Sequence, residues 1–183
     1  MDKRIEKTLD AIYSSFTELI NSTDYDDITI QDILDKSNIG RSTFYMHFKT
    51  KDELLLKISK DIFDHVFSLS LKEEKSHDFS KANLFDYKHL ITHIFYHIRD
   101  EKELIKGILS SKGNHIFLDE FRAHLYTFAD SYYSNYQTSD SRIPLSLKKE
   151  IMVNSFIVII KYWTDNNYLE TPEQLTEYFI SLS

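Results

Sequence analysis

Residues 28–48 read ITIQDILDKSNIGRSTFYMHF, two short helical patterns joined by a tight turn. Ile30, Ile33 and Leu34 recur at helical spacing behind Thr29, a good N-cap, and Asp32 is placed to favour the positive end of that helix. Ile28 and Ile33 have the spacing of a hydrophobic staple. The helix ends near Ser37, where Asn38 and Gly40 tolerate the backbone of a sharp reversal. A second short helix follows from about Arg41 to Phe48. Phe44 and Phe48 lie one turn apart and face inward, and Ile39 closes the wedge. Arg41, Ser42, Thr43, Tyr45 and His47 are left outward or on the flanks. Thr50-Lys51-Asp52-Glu53 then reads as a capping box that stops this helix and starts the next.

Periodicity alone fits any small helical corner. The chemistry on the outer side of the second helix points further, because a short helix carrying donors fits a major groove about 12 Å wide. Arg41 and Thr43 near its start are expected to reach base edges, Arg41 as a bidentate donor to guanine. Tyr45 and His47 are better placed for phosphates. The N-termini of the helices beginning at Thr29 and Thr50 are each expected to hold a phosphate through backbone amides, with Lys51 adding charge. The stretch reads as a helix-turn-helix that sets its second helix against double-stranded DNA.

Outward from this stretch, the rest of the chain is helical in pattern. Ile5, Leu9, Ile12, Phe16, Leu19 and Ile20 mark a first helix, and Asn21 to Asp27 is a polar break whose Tyr25 tucks under its end. Leu55, Ile58, Ile62, Val66 and Leu69 carry a fourth helix to about Leu71, roughly 30 Å long. Lys72 to Lys81 is a charged break. The fifth helix spans about Leu84 to Arg99. Asp100 and Glu103 have cap spacing for a sixth, ending at Ser110-Ser111 or Gly113. The seventh runs from about Asn114 to Tyr136. Gln137 to Arg142 is a loop, Pro144 precedes an eighth helix over about Leu147 to Asn166, and Thr171-Pro172-Glu173-Gln174 starts a ninth. IMVNSFIVIIKYW in the eighth is apolar around most of its circumference and must be covered on more than one side. With 3 Gly and 2 Pro in 183 residues, the expected fold is all-α with about nine helices.

Composition narrows the function classes. Hydrophobic content of 42% and charged content of 28% are globular values. There is no cysteine for a disulfide or a thiolate metal site. MDKRIEK turns directly amphipathic without the apolar run of a signal peptide, and no stretch reaches the ~18 apolar residues of a membrane span. A soluble cytoplasmic protein with no membrane partner is expected. The net charge of −7 opposes nucleic acid, but residues 36–60 hold six Lys/Arg against Asp52 and Glu53, while residues 61–183 hold 13 Lys/Arg and 18 Asp/Glu. An acidic body would leave DNA contact to the basic head. No Gly-rich phosphate loop or HExxH pair suggests an enzyme, and no cofactor or metal is implied.

The core Ser42-Thr43-Phe44-Tyr45-x-His47-Phe48, followed by Lys51 and Leu54 or Leu55, resembles the tetracycline-repressor-like (TetR) regulators. The resemblance covers residues 4–60, and SFIVIIKYWTDNNYLETPEQL looks like one subgroup's eighth helix and its connection to the ninth. It implies a DNA-binding domain over 1–50 and a regulatory, dimerising domain over 51–183. It also implies a homodimeric, ligand-responsive transcription factor, usually a repressor on a palindromic operator. Thr43, Tyr45, His47 and Lys51 would contact DNA, and Arg41 and Ser42 would set sequence preference. Thr29 at the preceding helix start completes the expected DNA-binding set. The eighth and ninth helices would form a four-helix bundle with a second copy, through Ile151, Ile159, Tyr162, Leu175, Tyr178 and Phe179. An unknown small-molecule effector would lie among Phe95, Leu104, Phe117, Phe121, Tyr126, Phe128, Phe156 and Trp163, although an aromatic stripe at this spacing also fits plain core. The alternative is a helical ligand-binding or protein-interaction module that kept the head fold and lost DNA binding.

His89, His93 and His97 share one helical face at spacings of four, with Asp86 and Asp100 on the same side. That spacing suits zinc. The same arc also holds Tyr96 and lies opposite Ile91 and Ile98, so a solvated polar face is the expectation.

Overall fold

Capping side chains set where the helices begin. The computed structural model describes residues 3–67, 87–135 and 142–182. Among these are α1 (Lys3–Ser22), a 3-10 turn (Tyr25–Asp27), α2 (Ile30–Ser37), α3 (Arg41–His47), α4 (Lys51–Val66), α5 (Tyr87–Asp100), α6 (Lys102–Ser110), α7 (Asn114–Asn135), α8 (Leu145–Asp165) and α9 (Pro172–Leu182), with no strand among the described residues. The fold is all-α, as expected. Leu69 and Leu71 in the fourth helix, the Lys72–Lys81 break, Leu84 and Asp86, and Tyr136 with the loop start at Gln137 lie outside the described residues.

The expected caps form at three of four starts, two of them as reciprocal boxes. At α2 the Thr29 hydroxyl accepts from the Asp32 N–H at 3.2 Å, and Asp32 accepts from the Thr29 N–H at 2.8 Å. At α9 Thr171 and Gln174 make the same reciprocal pair, at 3.3 and 2.8 Å. At α4 Thr50 accepts from the Glu53 N–H at 3.0 Å, but Glu53 returns one residue earlier, to the Lys49 N–H at 2.7 Å. At α6 the expected Asp100 cap fails because α5 continues through Asp100. Glu101 takes the cap position without a side-chain bond. In the α2–α3 reversal Asn38 alone enters the left-handed region, with φ 53° and ψ 37°, and its N–H donates to the Leu34 carbonyl. Gly40 has an ordinary φ of −67°, and a Cβ there would meet nothing nearer than 4.0 Å. The freedom expected of Gly40 is not used.

The chain divides into two compact units, Met1–Asp61 with Glu101–Glu120, and Ile62–Asp100 with Phe121–Ser183. In the first, Ile12, Phe16 and Ile20 of α1 meet Ile33, Leu34, Phe44, Phe48, Leu54, Leu55 and Ile58 in one buried core, with Tyr25 and Ile28 beneath the turn. Ile5, expected on the buried stripe of α1, is exposed. This unit also includes α6, whose Leu104, Ile105 and Ile108 are buried. Gly107 is where α6 closes on α1: a Cβ there would stand 2.5 Å from Asn21 Oδ1 and 2.9 Å from Ile20 Cγ2. The glycine is needed for closeness, not for a turn.

In the second unit α5 lies along α9. Their contact is sealed by the buried Thr92–Thr176 hydroxyl pair at 2.9 Å and flanked by Lys88–Glu177 and Tyr96–Glu173. Phe95 of α5 packs on Phe156 and Trp163 of α8, and the Trp163 indole N–H donates to the Glu170 carbonyl at 3.0 Å. The histidine stripe departs from expectation. His93 is 3% exposed and His97 6%, their rings 4.4 Å apart, and His89 is half-buried. The polar arc of α5 is packed rather than solvated, because a helix covered on several sides buries its polar face too.

Because Asn38 holds a conformation that costs most L-residues about 1–2 kcal/mol, Asn38→Ala should destabilise the first unit by about 1 kcal/mol. Gly40→Ala, at an extended position with open space, should change stability by less. Urea unfolding of both variants checks the contrast.

Candidate nucleic-acid interface

Phe44 and Phe48 anchor α3. Both are buried, their rings 5.7 Å apart, and Tyr13 of α1 and Tyr45 of α3 pack against them. With one side held, the other faces water: Arg41, Ser42, Tyr45 and Met46 are exposed. Thr43 and His47 are half-buried, one turn apart on a flank. The structure therefore brings Arg41, Ser42, Thr43, Tyr45 and His47 onto one short surface.

Two residues that the sequence reading passed over belong to this surface. Met46 is 74% exposed at the crest of α3. Its apolar side chain hid it, yet at ~100° per residue it lies about 200° from both Phe44 and Phe48, which is the wheel position of a crest. Gln31 of α2 accepts a hydrogen bond from Arg41 Nη at 2.6 Å and donates from Nε2 to Asp35 Oδ1 at 2.7 Å. Nothing in the linear sequence joins Gln31 to Arg41, ten positions apart.

Lys51 is engaged within the head. Its ammonium donates to the backbone carbonyls of Tyr25, of Asp26 at 3.1 Å and of Ile28 at 2.9 Å, and lies 4.6 Å from the centre of the Tyr25 ring. Three donors are thus engaged inside the head, where the side chain acts as an internal clamp. Tyr25 completes the clamp by donating its hydroxyl to Asp52, and burial followed by that carboxylate pushes its ionisation far above the usual phenol range. Thr29 is likewise engaged as a cap. Asp32 at α2, held below the usual carboxylate range by the Thr29 hydroxyl, and Glu53 at α4 already place a carboxylate at each helix start where a phosphate was expected.

The basic surplus is smaller in space than in sequence. Lys36 pairs with Glu18 at 2.7 Å and Lys57 with Asp61 one turn along α4. Such exposed pairs contribute little stability, but they reduce the field presented outward.

The remaining expectations divide. Phe95, Phe121, Phe156 and Trp163 are fully buried in the second unit, and half-buried Phe128 packs at 6.0 Å from Phe156. Leu104 and Phe117 belong to the first unit, and Tyr126 spends its hydroxyl on Glu150 at the surface. Of the residues expected at a dimer interface, Ile159, Leu175 and Phe179 are at most 4% exposed and fill the protomer's own core. Ile151, Tyr162 and Tyr178 are exposed, and Val158 on α8, 61% exposed, and Leu182 on α9, 57% exposed, join them although the sequence reading did not name either. Phe179 packs at 4.2 Å from Phe156.

Comparison with known proteins follows the same division. A family profile described as "Bacterial regulatory proteins, tetR family" matches residues 12–58, and one described as "Transcriptional regulator C-terminal region" matches residues 86–183, more than half of the chain. The chain belongs to the TetR family of DNA-binding transcriptional regulators. A crystal structure of a TetR transcriptional regulator from Streptococcus agalactiae 2603V is 29% identical, covering 99% of this chain and 96% of its own, with a TM-score of 0.75. Lin0861 from Listeria innocua shares the fold at 19% identity and a TM-score of 0.70, over 99% of this chain and 91% of its own. The HTH-type regulator YxbF of Bacillus subtilis (strain 168) is 28% identical over 98% of this chain, which spans 45% of YxbF's length. Members of the family bind DNA and act as dimers, and the family is one of regulators rather than enzymes. No helix among the described residues is long and apolar enough to cross a membrane.

Lys51→Met should lower head stability by about 2 kcal/mol, since it strands three carbonyls that a charged donor satisfied. The salt dependence of DNA affinity should keep its wild-type slope. A slope reduced by about one unit at unchanged stability would instead assign Lys51 to a phosphate.

Proposed function

We propose that this chain is a ligand-responsive repressor that acts in the cytoplasm and binds a palindromic operator as a homodimer. The observation that carries the reading is the exposed face of α3, with Arg41, Ser42, Tyr45 and Met46 raised on the Phe44–Phe48 anchor. Arg41 reads guanine through paired donors, and Met46 offers an apolar contact for a thymine methyl. Thr43, near the start of the helix, meets a base edge beside Arg41, while Tyr45 and His47 hold phosphates and fix the register.

A palindrome requires two heads at half-sites about 34 Å apart. The second copy docks on the apolar stripe of Ile151, Val158 and Tyr162 with Tyr178 and Leu182 of α9, all exposed in the single chain. The effector is proposed on family grounds. It acts only by binding one conformation of the second unit more tightly than another.

Tyr45→Phe combined with His47→Ala should weaken binding similarly across DNA sequences. Arg41→Ala should instead change base preference, by about 1–3 kcal/mol at one position. Selection from random DNA separates the two effects. If no palindrome is enriched and DNA affinity lacks salt dependence, the chain is an interaction module that has lost DNA binding.

Val158→Asp should make the protein monomeric in sedimentation at micromolar concentration while retaining its helical circular dichroism. Leu175→Ala, in the protomer core, should instead lower the unfolding free energy by about 2–5 kcal/mol. A Val158→Asp dimer would rule out this face.

A further inference from the structure

We infer that Gln31 and Asp35 of α2 are positioning residues that hold the Arg41 guanidinium in its base-reading orientation. The inference deepens the proposed function and rests on α3 being the reading helix. Arginine is a costly reader when loose, since ordering its rotamers consumes part of what a bidentate contact contributes. Here the guanidinium is already held in the DNA-free chain, by a 2.6 Å bond from Nη to Gln31 Oε1.

The carboxamide that holds it is itself sorted. Gln31 offers an oxygen that accepts and a nitrogen that donates. Asp35, one turn further along α2, takes the Nε2 donor on its carboxylate oxygen at 2.7 Å. Arg41 donates only. One orientation of the amide satisfies both neighbours, and the reverse would face oxygen to carboxylate and nitrogen to guanidinium. Asp35 therefore fixes Gln31, and Gln31 fixes Arg41. The arrangement occupies one donor of a five-donor fork and leaves the remainder for a base. It also holds a carboxylate away from direct pairing with Arg41, so a neutral group intervenes and the arginine's charge stays available to DNA. All three residues are exposed, which suits a role in presentation better than one in the core.

The test uses the full chain in two measurements. NMR relaxation of the Arg41 side chain in DNA-free protein should show a restrained guanidinium in wild type. It should be mobile in Gln31→Leu and restrained again in Gln31→Glu, which restores an acceptor. Selection from random DNA should show the guanine preference at Arg41's position falling roughly five- to tenfold in Gln31→Leu, relative to its non-specific affinity, the lower range of a lost bidentate contact. Asp35→Asn, which lets the amide turn over, should lower the same ratio less. The double variant Gln31→Leu/Arg41→Ala should match Arg41→Ala alone, because a positioning residue has no effect without the group it positions.

Unchanged Arg41 mobility and unchanged guanine preference in Gln31→Leu overturn the inference. So does a loss that adds to that of Arg41→Ala or falls at another base, for then Gln31 reads DNA itself. A restrained Arg41 in a wild-type protein that enriches no sequence would instead overturn the DNA reading on which the inference rests.

Discussion

The Lys51 ammonium sits where three backbone carbonyls converge, those of Tyr25, Asp26 and Ile28, on the chain's passage from α1 to α2. One side chain at the start of α4 thereby ties down the turn that delivers α2. The Tyr25 ring closes over the ammonium and its hydroxyl reaches Asp52, so the same few atoms also fix the start of α4. Carbonyls left without donors in a half-buried turn would be costly, and a cation satisfies several at once. The position of α3, packed between these elements through Phe44 and Phe48, depends on that clamp.

With the head so held, its surface is sparse. Much of the positive charge counted along residues 36–60 is answered within the fold, by Glu18, by Asp61 and by backbone oxygen. What α3 itself turns outward is a small set of shaped contacts: Arg41, the hydroxyls of Ser42 and Tyr45, and Met46. Such a surface discriminates by geometry more than by field. It also accords with an overall charge of −7, which would penalise loose association with nucleic acid.

The second unit settles a competition for apolar surface. Alpha8 carries more apolar residues than one neighbour can cover. Phe156, Ile159, Ile160 and Trp163 are taken inward, against α5 and α9, while Ile151, Val158 and Tyr162 stay exposed. Leu175 and Phe179 on α9 go inward by the same logic, leaving Tyr178 and Leu182 outside. The division into buried and exposed apolar residues is thus made residue by residue along single helices, and aromatic bulk is a poor guide to it.

Helix class, helix order and the head were legible in the linear chain, because caps and helical periodicity are local. Thr29 with Asp32, Thr171 with Gln174, and the Phe44–Phe48 pair act within four residues of one another. The resemblance to the TetR family rested on the same short-range pattern. Roles set at a distance were not legible. Lys51 meets the α1–α2 turn more than twenty residues away, Gln31 meets Arg41 across a reversal, and α5 buries histidines whose wheel position suggested water. A wheel shows which residues share a face, but it does not show what covers that face. Local pattern alone sets which helices form and which side chains α3 turns away from its anchor. The tertiary structure decided which of the polar groups remain available to DNA and which apolar groups remain available to a second copy, because availability depends on what long-range packing has already consumed.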